Sequence, residues 1–291
     1  MINNETIKFI EKVLNNKKII YSKLLSDSFG INCISFRTSD KKNYIAKYYK
    51  EINVGFNAIK SEAKNLIFLN DLNLKIFPKV YYYDDRFLII SYFNNNLVKP
   101  NETKNDLLNA IISLHSLSDK KYGFDFDTQI GGLRQINKRY SNWVLFFRDY
   151  RLGYIFELIN SSNIMDKSIN KKIEIILNNI EIYIPKEPRA SLLHGDLWEG
   201  NILFNNKNFI GLIDPGSFYG HNELEIAYLR WFNPSFIDKN FIKKYNNNIK
   251  IDNEYYNYEP IYQLYYSLLN VYLWDRQYIH NVKNLLNLIK V

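Results

Sequence analysis

Apolar and polar positions divide the chain into two stretches with different periods. Up to about residue 93 the apolar residues come in short β-branched and aromatic runs. "KIIYSKLL" and "CISFRT" read as strands, and "NYIAKYYK", after the polar turn "SDKKN", completes a hairpin. One helical segment interrupts them: "FNAIKSEAKNLIFLNDL" carries Phe56, Ile59, Ala63, Leu66 and Ile67 at helical spacing, and Pro78 closes it. "KVYYYDDRFLIISYF" then reads as two strands around an Asp84-Asp85-Arg86 turn.

From about residue 97 the period becomes helical. "TKNDLLNAIISLHSL", "SNWVLFFRDYRLGYIFELI" and "SINKKIEIILNNIEIYI" each place apolar residues at i, i+3, i+4 and i+7. The strand-like exceptions are "NILF" and "FIGLID", separated by "NNKN"; helices then resume to the end. "NNNLVKP" at 94–100 reads as the linker. The pattern predicts an α+β chain with a β-rich N-terminal lobe (1–93), a mainly helical C-terminal lobe (94–291) and a ligand in the cleft between them.

Composition narrows the options. With 291 residues, 46% of them hydrophobic, the chain can bury a substantial core. Its single cysteine, Cys33, excludes an intramolecular disulfide and a Cys-rich zinc site and suits a reducing compartment. No apolar run reaches membrane-spanning length, and "MINNETIKFIEKVLNN" lacks a basic segment followed by an apolar one, so the expected location is the cytoplasm, off the membrane. The formal charge of +8 is scattered singly and in Lys-Lys pairs. Without a basic stripe interleaved with aromatics, it points to anionic small ligands and away from nucleic acid.

The densest polar cluster is "LLHGDLWEGNILF", Leu192 to Phe204. A metal site on His194, Asp196 and Glu199 would be a poor transition-metal set, with four histidines in the whole chain and no paired spacing. Asp196 could instead cap a helix starting near Trp198, with Glu199 completing a capping box. The third reading is a kinase-like phosphotransfer loop. There an Asp takes the acceptor hydroxyl's proton, an Asn five residues on holds Mg²⁺, and an Asp after the next hairpin chelates the metal against nucleotide phosphates. Asp196, Asn201 and Asp214 have that order, and "NILFNNKNFIGLID" supplies the hairpin. A capping turn has no need of either, so the phosphotransfer reading is favoured. The N-terminal lobe supplies the remaining parts: Lys47 mid-strand in "YIAKYY" for phosphate, and Glu62 on the next helix to hold it. No glycine-rich phosphate motif is present; only Gly30 stands between the first two strands.

With these residues in hand, the chain resembles the fructosamine/ketosamine-3-kinase family, within the aminoglycoside-phosphotransferase-like branch of the protein-kinase-like fold. "HGDLWEGN" (194–201) is similar to its catalytic loop and "IDPGSFYGHNE" (213–223) to its metal-binding segment. The stretch 130–152 matches through Ile130, Gly131, Gln135, Asn137, Trp143, Phe146, Phe147, Arg151 and Leu152, and "IYQLYYSLLNVYLW" is similar to its closing helix. The resemblance implies that ATP phosphorylates the sugar 3-hydroxyl of a ketosamine, and that the unstable product releases its amine, which amounts to deglycation. By motif position Asp196 would be the base, Asn201 and Asp214 would hold Mg²⁺, and Lys47, oriented by Glu62, would contact phosphate. Ser91, Tyr92 and Phe93 would offer hinge backbone groups to adenine. Trp198 would wall the sugar site or be a buried structural residue. His194 would shape the loop, while His221 and Glu223 would touch substrate or brace the metal strand. Some such kinases have a redox-sensitive cysteine near the phosphate loop, so Cys33 would be either a homodimer link or a small packed residue. Gly216 (usually Ala), Glu225 (usually Asp) and "NPSF" after "LRWF" depart from the pattern and leave the acceptor open: another hydroxyl compound, such as an aminoglycoside or choline, is the alternative. A binding module without turnover would lack Asp196, Asn201, Asp214 or Lys47, and all four are present.

Overall fold

The computed structural model describes residues 3–51 and 55–291. It opens with helix α1 (Asn4–Val13), which the strand-dominated reading of this region overlooked. The local signals were there. The Asn3 side chain accepts from the Thr6 N–H at 2.7 Å as an N-cap, and Ile10 and Leu14 repeat at helical spacing. The predicted strands follow as β1 (Ile19–Ser28), β2 (Ile31–Thr38) and β3 (Asn43–Tyr49). Helix α2 (Ala58–Asp71) comes next, then β4 (Val80–Tyr83) and β5 (Phe87–Ser91) around the Asp84–Arg86 turn. The five strands form one antiparallel sheet in the order β1-β2-β3-β5-β4.

Strand alternation then decides which side chains meet the cleft. Tyr44, Ala46 and Tyr48 of β3 turn to one face and pack with Ile34, Phe36 and Ile89 under Ile10 and Leu14 of α1. Ile45 and Lys47 turn to the other face, toward the cleft. The α1 helix therefore covers the back of the sheet. Each fully buried aliphatic there contributes about 2 kcal/mol by leaving water, and Ile10 is fully buried.

The C-terminal part is mainly helical, as its periodicity predicts, and begins with α3 (Asn105–Ser116). Its short strands were the main surprise. After β6 (Ser118–Asp119) and the hairpin β7 (Thr128–Ile130) and β8 (Leu133–Gln135), a helix runs as α4 (Trp143–Phe147), a π-helical turn (Arg148–Leu152) and α5 (Gly153–Ser161). Helix α6 (Lys167–Asn178) precedes β9 (Ala190–Leu193), the predicted hairpin β10 (Ile202–Asn205) and β11 (Asn208–Leu212), and β12 (Phe218–His221). Helices α7 (Asn222–Phe232), α8 (Phe241–Asn246), α9 (Tyr255–Leu273) and α10 (Ile279–Ile289) close the chain. Strands β6–β9 and β12 went unpredicted because runs this short carry no readable period. They matter for the site, since the order β12-β9-β6 makes a small sheet whose central strand leads into the polar loop.

One continuous core runs from Leu66 and Leu88 under the five-stranded sheet to Trp143, Phe147, Tyr262 and Leu268. Helix α9 lies at its centre, against α5, α7 and α10. Among the described residues no helix is long and apolar enough to cross a membrane.

Candidate active site

Strand β9 delivers the chain to His194, and β12 pairs with it through Phe218 and Leu193. The loop between β9 and β10 is held against the segment that follows β11. Gly216 N donates to His194 O (2.9 Å), and Ile213 N donates to Asn201 O (3.0 Å). This approach needs a bare backbone: Gly195 has φ +87°, and a Cβ there would lie 2.1 Å from the Gly216 carbonyl oxygen. Asp214 also sits in the left-handed region (φ 57°), a conformation that short polar side chains tolerate and that recurs at functional sites.

Within the loop, the Asp196 N–H donates to His194 Nδ1 (3.2 Å), so His194 shapes the backbone as expected. Asn201 Nδ2 donates to the Asp196 carbonyl (2.9 Å) and to its Oδ2 (3.3 Å), leaving the amide oxygen for another partner. Asp196 does not cap a helix: a short 3-10 turn, Glu199–Asn201, follows without any side-chain cap. Glu199 is paired with Lys99.

Across the cleft, Lys47 Nζ bonds both oxygens of Glu62 (2.7 and 2.8 Å) and Asp214 Oδ1 (2.6 Å). Burial alone would lower this ammonium, but the charges of Asp214 and Glu62 outweigh it and hold Lys47 protonated. Burial pushes the Glu62 carboxyl up, with Lys47 countering. Burial, reinforced by the charge of Asp214, also pushes Asp196 up to about 7. A carboxylate poised near neutrality is suited to accepting a proton from a hydroxyl.

Three cavities that share lining residues surround these groups. One of about 650 Å³ is lined by Ile45, Lys47, Ile90, Ser91, Tyr92, Phe93, Leu203, Ile213 and Asp214, with Lys23 also on its wall. A second, about 260 Å³, lies under the β1–β2 hairpin and touches Ser26, Ser28, Lys47, Asp196, Asn201 and Asp214. The third, about 290 Å³, is lined by Asp196, Trp198, Tyr228, Phe232, Asn270, Trp274 and Tyr278, and Asp196 is its only charged group among the described residues. Trp198 is half-buried: it packs against the core and lines this third cavity.

His221 and Glu223 do not line these cavities. His221 Nδ1 meets Tyr262 OH at 2.8 Å, and Glu223 accepts from Tyr258 OH and from Asp252 N (2.8 Å), so both brace the fold. Cys33 stands opposite Lys47 in the β2–β3 register, and burial pushes its thiol up to about 12.

Several groups here have roles that the sequence alone did not show, among them Glu225, marked there only as a departure from the family pattern. Glu225 is fully buried on α7 and accepts from His194 N (3.0 Å) and Gly195 N (2.7 Å), with His115 Nε2 2.9 Å away. Burial would raise this carboxyl, but His115 and the backbone donors outweigh it and hold it below the usual range. The aromatic lining from α7 and α9 also went unread, because nothing local marks one core-like aromatic from another. The stretch 128–152 finds its physical reason in the Gly216 carbonyl, which accepts from Gln135 Nε2 (2.8 Å) and Thr128 Oγ1 (3.2 Å). Asn137 Nδ2 donates to Thr128 Oγ1 (2.7 Å), and Arg151, turned inward by the π-helical turn, donates to Asn137 Oδ1 (2.5 Å) and covers the Phe218 ring at 3.9 Å.

A family model described as fructosamine kinase matches residues 4–290. A Vibrio cholerae protein provisionally named a ketoamine kinase is 26% identical over 255 residues, covering 87% of this chain and 84% of that protein. An Arabidopsis thaliana chloroplastic protein-ribulosamine 3-kinase is 33% identical over 160 residues, 53% of this chain and 46% of its own length. In fold, a Thermobifida fusca crystal structure provisionally assigned as a fructosamine-3-kinase superposes with TM-score 0.85 at 18% identity, covering 99% of both chains. An ADP-bound aminoglycoside phosphotransferase superposes with TM-score 0.64 at 19% identity, covering 99% of this chain and 98% of that one. The protein-kinase-like architecture expected from the motifs is thus the fold observed.

Proposed function

The chain belongs to the fructosamine kinase family, and on that premise we propose that it transfers the γ-phosphoryl group of ATP to the sugar 3-hydroxyl of a ketosamine. The phosphorylated adduct then releases its amine, so the outcome is deglycation. The observation that carries this reading is the shared position of Asp196. Among the described residues it is the one charged wall of the aromatic cavity, and it also faces the cavity that holds Lys47 and Asp214.

In this scheme the slot at Ser91, Tyr92 and Phe93 receives adenine, and Lys47, held by Glu62, meets the phosphates. Asp196 accepts the hydroxyl proton as the new oxygen–phosphorus bond forms and ADP departs. The donor set fits Mg²⁺: Asp214 and Asn201 offer hard oxygen ligands, and no group of three or more His, Cys, Asp or Glu among the described residues would bind a metal unaided. Magnesium bound with the nucleotide would neutralise phosphate charge; the protein's part is to present those two oxygens beside Lys47. We take 1–93 as the nucleotide-binding lobe and 94–291 as the catalytic and acceptor lobe, and we assign the protein to the cytoplasm, in keeping with its single cysteine.

A polycationic aminoglycoside would call for several carboxylates, and the acceptor cavity has one. Its aromatic walls do suit a cationic amine, which a ketosamine and choline share. A phosphorylation screen therefore compares ribulosamines and fructosamines with choline and aminoglycosides, Mg²⁺ and ATP present throughout. Ketosamine turnover exceeding that of every other acceptor is expected; preference for choline or an aminoglycoside would overturn the assignment.

A further inference from the structure

The hairpin between β1 and β2 turns on Phe29 (φ 51°) and Gly30 (φ 74°), the left-handed pair that a tight two-residue connection requires. Glycine carries that conformation freely; phenylalanine does not, and Phe29 is also 48% exposed. Neither local preference nor burial explains it. Its ring stands edge-on to the Trp274 indole, with centroids 5.2 Å apart at 71°. It also lies over the bare backbone of the β7–β8 turn, where a Cβ on Gly132 would come within 3.4 Å of it.

Trp274 ends α9 and is 58% exposed, so the core does not account for it either. Its indole lines the acceptor cavity and the phosphate cavity together. Two exposed aromatic rings, one on the N-terminal hairpin and one at a C-terminal helix end, thus meet above Asp196 and Trp198.

We propose that Phe29 and Trp274 form an aromatic roof that positions the phosphate hairpin over the reacting atoms. Trp274 is at the same time a wall that selects acceptors bearing an apolar or cationic substituent on nitrogen. The inference rests on the phosphotransfer reading. When the roof is in place, the acceptor oxygen forms the bond to γ-phosphorus, the bond to the β-phosphate oxygen breaks, ADP leaves and Asp196 takes the proton. When it is removed, water reaches the same phosphorus, and ADP and inorganic phosphate form without acceptor. Phe29 is a positioning residue, acting through the hairpin, whereas Trp274 meets the acceptor as well.

The test uses the full chain with ATP and Mg²⁺, comparing F29A, F29L, W274A, W274F and the double variant F29A/W274A. Both positions are exposed, so folding is retained and is checked by melting temperature. For each protein, ADP release without acceptor is measured beside acceptor phosphorylation. F29A is expected to lower kcat and to raise the unproductive share of ADP by about tenfold, the scale of a small misplacement of reacting groups, with KM for the acceptor held. W274A should do the same and raise the acceptor KM, and W274F should restore most of both. The double variant should fall short of the product of the single effects by about two- to tenfold, the coupling expected of an edge-to-face aromatic pair. Independent multiplicative effects, or an unproductive share unchanged in F29A, would overturn the roof. If the parent phosphorylates no ketosamine, the acceptor assignment fails alone. Acceptor-free ADP release still decides the roof, since it must rise in both single variants and rise in the double one by less than the product of the two.

Discussion

Replacing Asp196 with Asn removes the proposed proton acceptor and a buried carboxyl together, and the two consequences are separable. Burial and the charge of Asp214 push this carboxyl from the ordinary 3.8 up to about 7. An acid whose folded pKa is raised adds its full stability below its unfolded pKa and loses it as pH climbs through the folded one. For Asp196 that loss runs from about pH 4 to pH 7 and amounts to about 4 kcal/mol at full ionisation. Asn is neutral at every pH. The stability of Asp196→Asn relative to the parent should therefore grow by about 3 kcal/mol between pH 5 and pH 8. In a chain of this size that is a widening of about 6 °C in the melting-temperature difference. At the same time turnover should fall by about a thousandfold, as expected for loss of a general base, while ATP affinity is kept or tightened. Thermal melts across pH, nucleotide titration and a kinase assay measure all three. A melting difference that stays flat from pH 5 to pH 8 would refute the raised pKa, and near-normal turnover would refute the base.

The same carboxyl sets the acid limb of the parent's rate profile: kcat/KM should fall about tenfold per pH unit below about pH 7, and a profile flat to pH 5 would sink that expectation. Lys47→Met leaves Glu62 and Asp214 without their shared cation, so a stability loss of about 3 kcal/mol should accompany at least about a hundredfold drop in turnover, read by melts and initial rates. Glu225→Gln has one acceptor oxygen in place of two for His194 N and Gly195 N; kcat should drop about tenfold or more with the KM for ATP little changed, and an unaltered kcat would remove Glu225 from loop positioning. With its thiol near 12, Cys33 should alkylate at pH 8 about a thousandfold more slowly than a free cysteine and give no Cys33-dependent homodimer band on non-reducing electrophoresis; rapid labelling would contradict the raised pKa of this half-buried thiol.

How far the sequence could be read depended on the distance over which each feature is determined. Asp196, Asn201 and Asp214 were legible because one loop and one hairpin hold all three, so a single short stretch of chain carries the whole pattern. Lys47 was legible for a related reason: in β3 the period of two sends Ile45 and Lys47 to the cleft and Tyr44, Ala46 and Tyr48 to α1. The helices of the C-terminal part showed themselves through long apolar repeats. The two-residue β6 and three-residue β7 did not, since their pairing partners alone define them.

By itself, then, the sequence determined the two-part α+β plan and the line of charged groups from Lys47 to Asp214. Only the tertiary structure decided what surrounds that line. Glu225 reaches the Gly195 backbone from thirty positions away, Arg151 holds Asn137 beneath the Gly216 carbonyl through Thr128, and Trp274 meets Phe29 across nearly the whole chain. In each case nothing in the residue's own helix or turn names its partner. What gives it a role is the packing of α7, α9 and the β7–β8 hairpin around one loop, and no local period or motif encodes contacts made at that separation.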